Sequence, residues 1–203
     1  MWLNELFVLI IGYLICSFPT AFVAGKLIKG IDIRNYGSGN VGATNALRVL
    51  GKKWGIFVLV VDMLKGFFSI VFLPKMFNVE CSPLFLTFLG ISSVVGHIWS
   101  LFLKFKGGKG VATTLGVIIG LGVYKFEMFL VILATVGVWI LVFIIWKIVS
   151  LASLISSIFL PVFTFYICRD FFILTLILFL IIFYRHLSNI KRLFKREEKP
   201  LFN

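Results

Sequence analysis

At 203 residues, with 61% hydrophobic residues, 24 phenylalanines and a mean hydropathy of +1.10, the chain is too apolar for a water-soluble domain. Its net charge of +12 belongs to no basic soluble segment, which excludes a nucleic-acid-binding module and points to phospholipid headgroups or a phosphorylated substrate. The period-two alternation of a membrane barrel is absent, so the expected class is an all-α, polytopic transmembrane helical bundle forming one domain over residues 1–203.

Seven spans are predicted in chain order: residues 3–24, 54–73, 83–103, 111–124, 127–146, 150–167 and 170–184. The first has no preceding Lys or Arg and no small-residue cleavage site, so it reads as a retained span rather than a signal peptide. The fourth is short, and Gly116, Gly120 and Gly122 suit it to close helix packing. In the second, Asp62 and Lys65 are expected to compensate each other's charge between helices. Cys16, Cys81 and Cys168 form no CxxC pair and have no neighbouring His, which argues against a metal site. A Cys81–Cys168 disulfide on the outer face stays open.

With the N-terminus outside, Lys26, Lys29, Arg34, Arg48, Lys52, Lys53, Lys104, Lys106, Lys109, Lys147, Arg185, Lys191, Arg192, Lys195, Arg196 and Lys199 all fall inside. Only Lys75, Lys125 and Arg169 fall outside, so the positive-inside rule sets the C-terminus in the cytoplasm. Orientation or anionic lipid accounts for Lys26, Lys29, Lys52, Lys53, Lys195 and Lys199. It does not account for three islands that mix cations with Gly, Ser, Asn and His: GSGNVGATNALR at 37–48, GHIWSLFLKFKGGKG at 96–110 and RHLSNIKR at 185–192. All three emerge on the same, cytoplasmic face.

In the first island the GxGxxG match lacks the flanking strands of a dinucleotide fold. What remains is a glycine turn before a short helix, with Asn40 expected as its cap, Gly51 as its end, Ser38 at the mouth, and Thr44, Asn45 and Arg48 on one face. In the second, Leu103 and Gly110 break the Walker pattern, yet a glycine bend with Lys109 before a helix start can hold an oxyanion. His97 stands near the cytoplasmic end of its span. In the third, Arg185, Asn189 and Arg192 share a helical face with His186, a set fit for a phosphate and a hydroxyl together.

GSGNVGATNALR, GHxxxxFxxFKGGKGVAT and RHxxNIxRL, in this order, resemble the membrane-integral bacterial acyl-phosphate:glycerol-3-phosphate acyltransferase family over essentially the whole chain. The resemblance implies a multi-pass enzyme of the bacterial cytoplasmic membrane with its active site toward the cytoplasm. It would move a fatty acyl group from acyl phosphate to the 1-hydroxyl of sn-glycerol 3-phosphate, giving lysophosphatidic acid and phosphate at the start of phospholipid synthesis. A peripheral phosphate acyltransferase would supply the donor, membrane lipids would surround the enzyme, and no metal, cofactor or nucleic acid would take part.

Carried over by position, the resemblance makes Ser38, Arg48 and Lys109 phosphate-handling catalytic residues, with His186 and Asn189 as further active-site members. It assigns Gly107, Gly108 and Gly110 to the acyl-phosphate loop and adds Ser153, from VSLAS, as a phosphate contact. Gly37, Gly39, Asn40, Asn45, His97, Lys106, Arg185 and Arg192 complete the expected substrate-binding set. Ser100 stands where the family usually has Pro, and Arg196 where it commonly has Gly before Glu198. The rival readings are a transporter or binder of organic phosphates, and an acyltransferase fed by thioesters.

Overall fold

The computed structural model describes residues 2–201, which form helices and short turns, with no β-strand among the described residues. Five stretches are long and apolar enough to cross a membrane: Trp2–Lys29, Lys52–Val71, Pro83–Leu103, Glu127–Trp146 and Val149–Ile167. Arg169–Arg185 continues into Leu187–Phe194 through a 57° bend, and the apolar helix Val111–Gly122 has only 12 residues. This is the all-helical membrane architecture that the composition requires, since backbone groups in hydrocarbon must be bonded within their own helix. Chain contacts define two compact units, Met1–Leu121 and Gly122–Asn203.

In the first unit the single span expected over residues 3–24 falls within Trp2–Lys29, with an interruption between α1 (Trp2–Ser17) and α2 (Thr20–Lys29). Pro19 is the cause, because it has no N–H to donate and its ring clashes with the preceding turn. The carbonyls released by the break find other donors: Ser100 Oγ reaches the Ser17 carbonyl at 2.5 Å, and Lys65 Nζ the Phe18 carbonyl at 2.6 Å. Beyond α2, Asp32 accepts the Arg34 N–H and caps a short turn over Ile33–Asn35. The amphipathic α3 (Ala43–Leu50) ends at Gly51 and packs on α4 (Lys52–Val71) and α2. Ala24, Ile33, Val41, Ala46, Leu50 and Leu103 belong to one buried apolar cluster, so both polar loops of this unit are pinned to the same core.

After α5 (Leu73–Met76), Ser82 caps α6 (Pro83–Ile98), its Oγ accepting the Phe85 N–H at 3.2 Å, with proline at the first helical position. α6 packs on α1 and α4. α7 (Val111–Gly122) lies so close to α4 that a side chain at Gly66, Gly116 or Gly120 would strike Thr113, Met63 or Ile70 respectively.

In the second unit α8 (Glu127–Trp146) and α9 (Val149–Ile167) make a helical hairpin that turns at Lys147, left-handed at φ 55°. α10 (Phe172–Arg185) packs on α9, and His186 marks the bend into α11 (Leu187–Phe194). The tail beyond α11 returns to the hairpin turn, where the Leu201 N–H donates to the Lys147 carbonyl at 2.9 Å. Cys16, Cys81 and Cys168 are free thiols.

Candidate active site

The first polar loop is shaped by Asn45, a buried side chain of α3. Its Oδ1 accepts the Ser38 N–H at 2.9 Å, and its Nδ2 donates to the carbonyls of Ile33 and Tyr36 at 3.2 and 3.1 Å. Gly37 is left-handed at φ 61°, and any side chain there would collide with that carboxamide, so only glycine closes the turn. Asn45, expected to bind substrate, thus spends its amide on the loop and presents Ser38. The Ser38 and Arg48 side chains are exposed. Asn40 does not cap α3: the cap position is Gly42, and no side chain bonds there. Buried Val41 and extended Gly42 (φ −161°) carry the chain past Asn40 before the helix can start. Upstream, Arg34 donates to both Asp32 oxygens and holds that carboxyl down at about 2, fixing the approach to the loop.

The second loop doubles back on the end of α6. Lys104 and Phe105 are left-handed (φ 52° and 61°), after which the Gly107 N–H donates to the Ile98 carbonyl at 2.9 Å and the Gly108 N–H to the His97 carbonyl at 3.1 Å. Two amides of the bend expected to hold an oxyanion are thus taken up by the last carbonyls of α6, which a helix end leaves without partners. Gly108 is glycine for a steric reason: a Cβ would strike the His97 ring and lie 2.7 Å from the Val41 carbonyl. Through that contact the first two islands meet. Gly110 (φ 85°) leads into α7, and the half-buried Lys109 sits between the two turns, with Lys106 exposed before them. The hydroxyls of Thr113 and Thr114, in the first turn of α7, are buried without hydrogen bonds. Ser100, where the resemblance expects proline, has a φ of −59°, a value that proline would lock.

Beneath these loops lies a network around Asp62 and Lys65, the pair expected to compensate charge between helices in preference to relaying protons. Asp62 and Lys65 share one helix, with Lys65 Nζ 2.7 Å from Asp62 Oδ1, and Thr20 Oγ1 donates to the same oxygen at 2.8 Å. His97 Nδ1 stands 3.9 Å from it. A small pocket is lined by Thr20, Asp62, His97, Ser100, Gly107 and Gly108, among others. Thr20, Asp62 and Ser100 were absent from the expected site. The sequence signals for them are a charge pair inside an apolar span for Asp62 and membership of the second island for Ser100, with none for Thr20.

In the second unit Ser150, Asn189 and Arg192 converge on Glu198, which is also absent from the expected site. Ser150 Oγ and Asn189 Nδ2 donate to Oε1 at 2.7 and 2.6 Å, and Arg192 Nε to Oε2 at 2.6 Å. Burial pushes the Glu198 carboxyl up, but the bonds from Ser150, Arg192 and Asn189 outweigh it and hold the group below its ordinary value. Arg196, two residues earlier, is left-handed at φ 57°, the conformation for which glycine is suited. Buried His186 has Nδ1 at 2.8 Å from the Ile182 carbonyl, Ser153 Oγ accepts the Trp139 indole N–H at 3.2 Å, and Arg185 is half-buried at the end of α10.

The chain matches the family described as Glycerol-3-phosphate acyltransferase over residues 6–196. The glycerol-3-phosphate acyltransferase of Prochlorococcus marinus (strain NATL1A) is 42% identical over 200 residues, 96% of each chain. That of Bacillus subtilis (strain 168) is 41% identical over 192 residues, 94% of each. The crystal structure of PlsY (YgiH), an integral membrane glycerol 3-phosphate acyltransferase, has TM-score 0.85 in its glycerol 3-phosphate form, at 40% identity over 97% of this chain and 94% of that one. Its lysophosphatidic acid form has TM-score 0.82 at 39% identity, with the same coverage. With its helices, its glycine loops and near-full-length similarity in agreement, the chain belongs to the glycerol-3-phosphate acyltransferase family.

Proposed function

We propose that this protein transfers a fatty acyl group from acyl phosphate to the 1-hydroxyl of sn-glycerol 3-phosphate, releasing phosphate and 1-acyl-sn-glycerol 3-phosphate at the cytoplasmic face of a bacterial membrane. The observation that carries the reading is the contact between the Ser38 loop and the Lys109 loop across Val41 and Gly108. That contact supports a reading in which the Ser38 hydroxyl, the Arg48 guanidinium and the Lys109 ammonium serve phosphoryl groups together. The acceptor and the product are the two compounds named for the forms of the solved PlsY structure.

Acyl phosphate is a mixed anhydride and already activated, so the protein's task is to hold two phosphates together and aim a hydroxyl at the carbonyl. Arg48 and Lys109 offset the repulsion between the phosphates and stabilise the charge that grows on the leaving one. The acceptor oxygen bonds to the carbonyl carbon as the bond from that carbon to the phosphate oxygen breaks. The hydroxyl proton passes to a phosphate oxygen, and no acyl-enzyme forms. His186, Asn189 and Arg192 are assigned to the reaction as members of the third island. A peripheral phosphate acyltransferase would supply the donor. Ser38→Ala, Arg48→Ala and Lys109→Ala are each expected to lower turnover by about a hundredfold or more while the helical signal and melting temperature persist. Wild-type rates in all three would place the chemistry elsewhere.

A further inference from the structure

We infer that Asp62 is a positioning residue that acts through His97 on the glycine loop carrying Lys109, an inference that rests on the reading of that loop given above. Asp62 is 2% exposed within α4, and Thr20 and Lys65 fix its Oδ1 from two directions, at 2.8 and 2.7 Å. His97 Nδ1 faces the same oxygen at 3.9 Å, too far for a hydrogen bond but close enough for the carboxylate to favour the tautomer with its proton on Nδ1. The other edge of the ring, bearing Nε2, lies against Gly108. The His97 carbonyl meanwhile holds the Gly108 N–H at 3.1 Å. Ring and backbone of one residue therefore grip the position just before Lys109, while the Val41 carbonyl also crowds Gly108. Turning the imidazole has to move the loop.

The chain has two histidines, so selective ¹⁵N-histidine labelling of the full-length protein yields two sets of ring resonances, assigned with His186→Gln. In Asp62→Asn the His97 ring pattern is expected to shift while that of His186 stays, and kcat to fall about ten- to hundredfold, the cost of a misplaced group. Because Asp62→Asn strands a buried ammonium, Asp62→Asn/Lys65→Met is measured beside it. There thermal stability is expected to recover, but neither the His97 pattern nor kcat. An unchanged His97 pattern in Asp62→Asn, or a double variant that regains turnover together with stability, would overturn the inference and leave Asp62 as a charge partner of Lys65. If wild-type protein transfers no acyl group from any donor, the proposed function fails on its own, and the resonances still decide the link between Asp62 and His97.

Discussion

Two carboxylates, one in each unit, gather donors under different constraints. Asp62 sits inside a span, where Lys65 and Thr20 are bound to it and water is remote; Glu198 lies beyond the last helix, where Ser150, Asn189 and Arg192 draw the tail in. A charge that loses its partner in the first setting has no solvent to turn to, whereas in the second the tail can open. The first network thus governs whether the unit holds together, and the second governs how firmly the tail is held.

The sharpest contrast comes from removing the cation in each case. Lys65→Ala leaves a buried, uncompensated carboxylate and is expected to cost about 3–5 kcal/mol. Arg192→Ala leaves Glu198 its Ser150 and Asn189 donors on a tail that can open to water, for a loss of about 1 kcal/mol. Melting curves of the two variants in one detergent check this, and equal losses would erase the distinction.

Acidification should separate the networks next. Folding lowers the Glu198 carboxyl below its ordinary value of 4.5, so its contribution is complete above that pH and fades as the pH falls through the folded-state value. Proteolysis of the tail past Phe194 should accelerate below about pH 4.5 in wild type, and Glu198→Gln should flatten this dependence. A smaller effect is expected at the turn leading to Glu198. Arg196→Gly removes a left-handed non-glycine residue and should stabilise the protein by about 1 kcal/mol, as a raised melting temperature.

Hydropathy and charge made the helical membrane class and the three islands legible, because both follow from side-chain type alone. Gly51 as a helix stop and the shortness of α7 were legible for the same reason. The break at Pro19 was lost inside an apolar run, since hydropathy counts side chains and is blind to the carbonyls that Ser100 and Lys65 come to satisfy. Asn45 was seen on the correct helix face but given to the ligand, because the turn it templates exists only once Ile33, Tyr36 and Ser38 are folded around it. Gly108 was recognised as part of a loop for the freedom of its backbone, while in the fold the room taken by His97 and Val41 decides it. Asn189 and Arg192 are legible as one helical face, but the carboxylate they bond is not, since Glu198 reaches them and the distant Ser150 only once the tail folds back.

Acyl-donor choice tests the central claim most directly. Purified protein in detergent receives sn-glycerol 3-phosphate with a long-chain acyl phosphate, the matching coenzyme A thioester or the matching carrier-protein thioester, without added metal, and both lysophosphatidic acid and inorganic phosphate are followed. Equimolar formation of the two from acyl phosphate, and none from either thioester, is the expected result; lysophosphatidic acid appearing only with a thioester would contradict it.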